Sequence, residues 1–179
     1  MSPQVTIAPE TLSRLQKHAV PLVDDINSVL NKLMDIAEGK QGAPAPTATA
    51  KDFSDGRVPN LTHTKILSAQ IGGKALGQSD TNWNRFLDRV ILEAATKLND
   101  VKALKQLIII NHVVGKKENQ GYRHLPKAGI SVQGQDSEAA WKAASHILKA
   151  MHMTAEVVFM WYDNQRAAHP GQTGRLAVG

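Results

Sequence analysis

The sequence contains no cysteine. That absence excludes disulfides, zinc–thiolate sites and cysteine nucleophiles. Long apolar runs are absent as well. The longest, such as Leu107–Ile110 and Val157–Trp161, are of strand length, far short of the ~20 residues of a membrane span. No apolar leader segment stands at the start of the chain. These absences lead to the expectation of a cytoplasmic protein. Catalytic patterns are missing too. There is no HExxH, no paired-histidine or acidic metal pattern and no glycine-rich phosphate loop. His18, His63, His112, His124, His146, His152 and His169 are scattered. No enzyme, metal or cofactor is expected from such a set.

What is present is globular. Of 179 residues, 42% are hydrophobic and 21% charged, enough to bury a core. The net charge of +5 is unevenly spread. Residues 1–39 carry 3 Lys/Arg against 5 Asp/Glu, residues 40–58 carry 3 against 2, and residues 59–179 carry 15 against 9, or +6. The basic part favours a polyanion, nucleic acid first.

Three parts follow from the pattern. In residues 1–39, Val5 and Ile7 alternate with polar residues as a short strand. Leu12, Leu15, Ala19, Leu22, Ile26, Val29, Leu33 and Ile36 then recur at three-four spacing. Pro21 breaks that run into two helices. A unit this small cannot bury a core alone and is expected to dimerise. Residues 40–58, rich in alanine, proline and threonine over Ala43–Ala50, read as a flexible spacer. Residues 59–179 read as a compact α+β domain. Its elements are a strand at Thr64–Ile71, a Gly72-Gly73 turn with a return at Lys74–Leu76, and a helix with the stripe Trp83, Phe86, Leu87, Val90, Ile91, Ala94 and Leu98. A central strand over Lys105–Val114, a polar loop over Gly115–Lys127 and a short strand at Gly129–Val132 come next. A helix capped by Asp136 follows, then an inner strand at Val157–Trp161 and an edge strand in Gly171–Val178.

Two places suit contact with DNA. Lys116, Lys117, Tyr122, Arg123, His124 and Lys127 crowd one loop, a pattern suited to phosphate contacts. Gln133 and Gln135 lie in a strand-to-helix turn. Glutamine can give adenine a paired donor and acceptor, and the first-turn amides of the following helix can bind phosphate, in competition with Asp136 and Glu138. The carboxylates Glu93, Asp100, Glu118, Asp136 and Glu156 are the residues from which a nuclease site could be assembled, with Asp100-Val101-Lys102 the one carboxylate–x–lysine spacing among them.

The first part, on Val5-Thr6-Ile7, Leu12, Leu15 and Asn27-Ser28-Val29-Leu30, resembles a ribbon-helix-helix module. That likeness implies a homodimer built on Val5, Ile7, Leu12, Leu15, Val29 and Leu33. The order of parts, with Ile130–Val158 as the densest stretch, resembles the SeqA family of bacterial replication modulators, which bind hemimethylated GATC sites. The resemblance implies an oligomerising N-terminal module and a C-terminal domain on double-stranded DNA. Gln133 and Gln135 would lie in the base-reading turn, with Lys116 and Lys117 in the basic loop. Here glutamine stands at both positions where that family has asparagine, and Asp136 and Glu138 bring acid where it has basic residues. Asp163–Gly179 has no counterpart in it.

A dimeric duplex-binding protein, regulatory or accessory to a restriction or defence system, is therefore expected, with a protein of a defence complex as a further partner. An adaptor for an acidic protein is the second reading, and a subunit of a nuclease complex the third.

Overall fold

A computed structural model describes Glu10, Thr11, Leu30, residues 50–54 and residues 57–179. The chain divides into two units, Met1–Ala43 and Pro44–Gly179, and the architecture below is that of the second. The ribbon-helix-helix reading of residues 1–39, with Val5, Ile7, Leu12, Leu15, Val29 and Leu33, lies outside the described residues.

The second unit is mixed α+β, with three α-helices and two sheets between residues 57 and 179 and one short strand before them. The strands are β1 (Lys51–Asp52), β2 (Thr64–Ile71), β3 (Lys74–Ala75), β4 (His112–Val114), β5 (Tyr122–Leu125), β6 (Ile130–Gln133), β7 (Ala155–Trp161) and β8 (Thr173–Val178). The helices are α1 (Trp83–Leu98), α2 (Val101–Leu107) and α3 (Ser137–Ala150). A five-stranded sheet runs in the order β1-β8-β7-β2-β3, and a three-stranded sheet runs β4-β6-β5. Every pairing is antiparallel except that of β1 with β8. Among the described residues no helix is long and apolar enough to cross a membrane.

Local chemistry explains the boundaries. Gly72 and Gly73 both take positive φ, 58° and 75°, which a tight hairpin between β2 and β3 requires. The Asn82 side chain accepts from the amides of Asn84 and Arg85 and starts α1. Asn99, in the left-handed conformation, ends it. The next residue, Asp100, accepts from the Lys102 amide at 2.8 Å and starts α2. The Asp136 carboxylate accepts from the Ala139 amide at 2.8 Å and caps α3, as the sequence predicts.

Two predicted segments change. The strand expected over Lys105–Val114 is a helix through Leu107 and a strand only from His112. Val101, Leu104 and Ile108 are spaced for a helix face, and the Asp100 cap favours that choice over the β-propensity of the Ile108–Ile110 run. The polar loop expected over Gly115–Lys127 contains β5. The C-terminal strand β8 is not itself the edge, because β1 pairs outside it.

The core lies between the five-stranded sheet and the helices α1 and α3. All three tryptophans and all three phenylalanines of the chain join one connected train. It runs Phe53–Trp161–Phe159–Trp83–Trp141–Phe86, with centroid spacings between 4.9 and 6.4 Å. Edge-on geometry dominates, as ring quadrupoles favour. The two buried indole N–H groups nearest β2 are satisfied, Trp83 donating to Thr64 Oγ1 and Trp161 to the Asn60 carbonyl, each at 2.9 Å.

The tip of the Phe159 ring lies close over Gly174 in β8. A methyl group placed on Gly174 would lie 2.5 Å from the ring. Gly174→Ala is expected to lower stability by about 1–3 kcal/mol through overpacking. A denaturant melt with unchanged slope and a lower midpoint is the result that fits; an unchanged midpoint would refute this account of the β7–β8 contact.

Candidate nucleic-acid interface

The three-stranded sheet has an inner and an outer face, and strand alternation sorts the predicted residues between them. Cross-strand pairing places Tyr122 opposite Gln133, Arg123 opposite Val132 and His124 opposite Ser131. Val132 and Ile130 are buried in the core. Arg123, which shares their face, therefore turns inward. Tyr122, His124, Ser131 and Gln133 share the outer face, with Asn111 and Val113 from the β4 side.

Arg123 meets Asp88 of α1 in a two-pronged pair. Its Nε donates to one carboxylate oxygen at 2.9 Å and a terminal nitrogen to the other at 2.8 Å. Asp88 is 4% exposed, so this is a largely dehydrated ion pair in the fork geometry that suits arginine. Its place in a basic loop predicts a phosphate contact for Arg123, whereas its guanidinium fastens the sheet to α1.

Ser131 is the other buried polar residue among those described. Its hydroxyl donates to the Gly115 carbonyl at 2.7 Å and accepts from the Lys117 amide at 2.8 Å. This latch folds the segment after β4 back over the outer face. It brings the Lys117 ammonium 3.9 Å from the centre of the Tyr122 ring, a cation–π contact. Lys116 pairs with Glu118 at 2.9 Å in solvent, a pair worth little. Lys127 is exposed on the short turn Pro126–Ala128, beyond the other end of β5. The structure thus groups Lys117, Tyr122 and Gln133, and leaves Arg123 and Lys127 outside that group.

Amides complete the face. Asn111 Nδ2 donates to Gln133 Oε1 at 2.8 Å, and Gln133 Nε2 donates to the Gln120 carbonyl at 3.3 Å. Gln135 Nε2 donates to the Gln133 carbonyl at 3.0 Å. Asn84 of α1 both donates to and accepts from the Gln135 backbone, at 2.8 and 2.9 Å, so the turn before α3 is tied to the start of α1. Asn84, Asn111 and Gln120 were not singled out from the sequence. Their signal is only that of amides in polar stretches, since the partners lie far along the chain. A cleft of about 430 Å³ adjoins the turn, lined in part by Thr62, His63, Asn82 and Gln135. The N-terminus of α3 is already served by Asp136, which removes the helix-end phosphate site as an independent feature.

The carboxylates from which a nuclease site could be assembled are dispersed. Glu93 pairs with Arg89 and Glu156 with Arg175, Asp100 and Asp136 cap helices, and Glu118 pairs with Lys116. Among the described residues no three of histidine, aspartate and glutamate come together as metal ligands would.

The second unit is an α+β domain whose small sheet carries a half-buried, amide-rich face with a lysine laid over its tyrosine. No protein-family model, curated protein or solved structure matches the chain.

Removing Arg123 leaves the buried Asp88 with only the exposed Arg85, 3.9 Å away, and removing Asp88 leaves Arg123 without its carboxylate. Asp88→Ala or Arg123→Ala is expected to cost about 3–5 kcal/mol, and the joint replacement Asp88→Leu with Arg123→Met much less than the sum. Urea melts of the three variants measure this; additive losses would show that the two side chains do not act as a pair.

Proposed function

We propose that the domain formed by residues 59–179 binds double-stranded DNA through the outer face of the three-stranded sheet. The observation that carries this reading is the juxtaposition of Lys117 on Tyr122 with the linked amides of Asn111 and Gln133. It stands on a domain with a balance of +6. In this reading lysines contact phosphates and fix the register, while side-chain amides meet base edges. Strands are among the elements that proteins lay into a DNA groove. Lys116 and Lys117 take the phosphate role, and Gln133 and Gln135 the base role, while Lys127 stands apart from this face. Arg123 supports the face from behind.

The resemblance to the SeqA family points the same way, through order of parts and the turn at Gln133–Gln135. Residues 1–39 would join two copies, and residues 40–58 would set the reach between their domains. Such a protein acts in the cytoplasm as a regulator, or as an accessory to a restriction or defence system.

Duplex binding followed by fluorescence anisotropy over a salt series tests the central claim. Each lost phosphate contact should reduce the log–log salt slope by about 0.9, so Lys116→Ala with Lys117→Ala should flatten it. Gln133→Ala should cost about 1–3 kcal/mol on the preferred sequence and leave the salt slope unchanged. No duplex affinity at low salt would end this reading. Shortening residues 42–50 should alter binding to paired sites and leave single-site affinity intact; equal effects on both would remove the spacer role.

A further inference from the structure

Strand β4 is one of the two outer strands of its sheet, and no strand pairs with its other side among the described residues. The Asn111 carbonyl and the Gly115 amide bond to the β6 side. In an antiparallel ladder the bonding direction alternates residue by residue. His112 and Val114 therefore direct their N–H and C=O groups away from the sheet. Natural edges are commonly protected by charge, proline or a bulge. This one carries Val114, 60% exposed, and is preceded by Ile109, 49% exposed. Val101 is 40% exposed and lies against Gly129, whose carbonyl takes the Gly115 amide. Half of the six exposed large apolar residues among those described thus belong to this part of the fold.

The same region is cationic. Lys102 and Lys105 of α2 and Lys127 beside Gly129 are exposed, and none is in an ion pair among the described residues. The carboxylates nearest in sequence are engaged, Asp100 with the Lys102 amide and Glu118 with Lys116.

We propose that the open edge of β4 takes up an extended acidic peptide of a partner protein, which adds as a fourth strand. Backbone groups of His112 and Val114 supply the ladder, and Val114 and Ile109 supply apolar contact. The lysines select glutamate or aspartate side chains on the incoming strand. DNA fits this edge poorly, because a phosphate backbone has no strand ladder to offer and leaves the valine and isoleucine uncovered. A second copy would bring two sets of the same lysines together across so short a strand.

The test uses the full chain and an acetylated, labelled peptide of alternating glutamate and valine. One control has lysine in place of glutamate. A second keeps glutamate but carries N-methyl groups on alternate backbone nitrogens, which removes the ladder and keeps the charge. Anisotropy should show the first peptide binding at least about tenfold tighter than either control. Val114→Glu, at an exposed position that folding tolerates, and Lys102→Glu with Lys105→Glu should each weaken it by about tenfold. The amides of His112 and Val114 should gain protection from solvent exchange on binding. Equal affinity for the N-methylated peptide would mean a general polyanion patch and overturn strand addition. A drop in the mass of the free protein on Val114→Glu, by light scattering, would assign the edge to a second copy and overturn the proposal as well.

Discussion

The buried pair of Asp88 with Arg123 is the contact on which the placement of the small sheet depends. A dehydrated carboxylate is costly unless its lone pairs are matched. That cost forces Arg123 to the inner side of β5 and fixes the strand's register against β6. Once Arg123 points inward, period-two alternation leaves Tyr122 and His124 no side but the outer one. Ser131 completes the arrangement from the opposite face by holding the Gly115–Lys117 backbone over Tyr122. Both buried polar side chains of the described residues therefore serve one surface. A core assembled for stability alone would be served as well by apolar residues at these positions.

The scarcity of aromatic residues works toward the same end. The six tryptophan and phenylalanine side chains are all placed in the train that joins the five-stranded sheet to α1 and α3. The two tyrosines stand outside it. Tyr122 is thus the aromatic that the candidate face displays, and a phenol presents both a ring to a lysine and a hydroxyl to water. Asn84 ties the turn at Gln135 to α1, a helix whose inner face is part of the core. Side chains held in this way lose less freedom on meeting a partner.

Much of this was legible in the sequence where the signal is local. The stripe from Trp83 to Ala94, the Gly72-Gly73 turn, the Asp136 cap and the inner strand ending at Trp161 rest on spacing or turn chemistry within a few residues. Misreadings arose where two local signals compete. An apolar run such as Leu107–Ile110 looks like a strand, while the Asp100 cap and the spacing of Val101, Leu104 and Ile108 favour a helix up to Leu107. Tyr122–Leu125 alternates too weakly in hydrophobicity to show as a strand. The role of Arg123 was invisible for another reason. Its partner lies 35 residues away, and nothing near Arg123 marks it as the one cation of the loop with a buried mate.

That distinction bears on the charge of the whole domain. Of the 15 cations in residues 59–179, five are arginines and ten are lysines. Arg85, Arg89, Arg123 and Arg175 all lie in ion pairs, whereas Lys116 is the one lysine of this region that does among the described residues. Arginine's planar fork matches a carboxylate at two points, and a lysine ammonium is a hydrated point charge. Arg123 and Arg175 thus serve as joints between separate elements, and the charge left at the surface is made mostly of lysine. A lysine field attracts anions with little regard for their shape. Discrimination between one anionic partner and another must then come from neutral groups with direction: the amides of the outer sheet face for a base edge, the free backbone of β4 for an extended peptide.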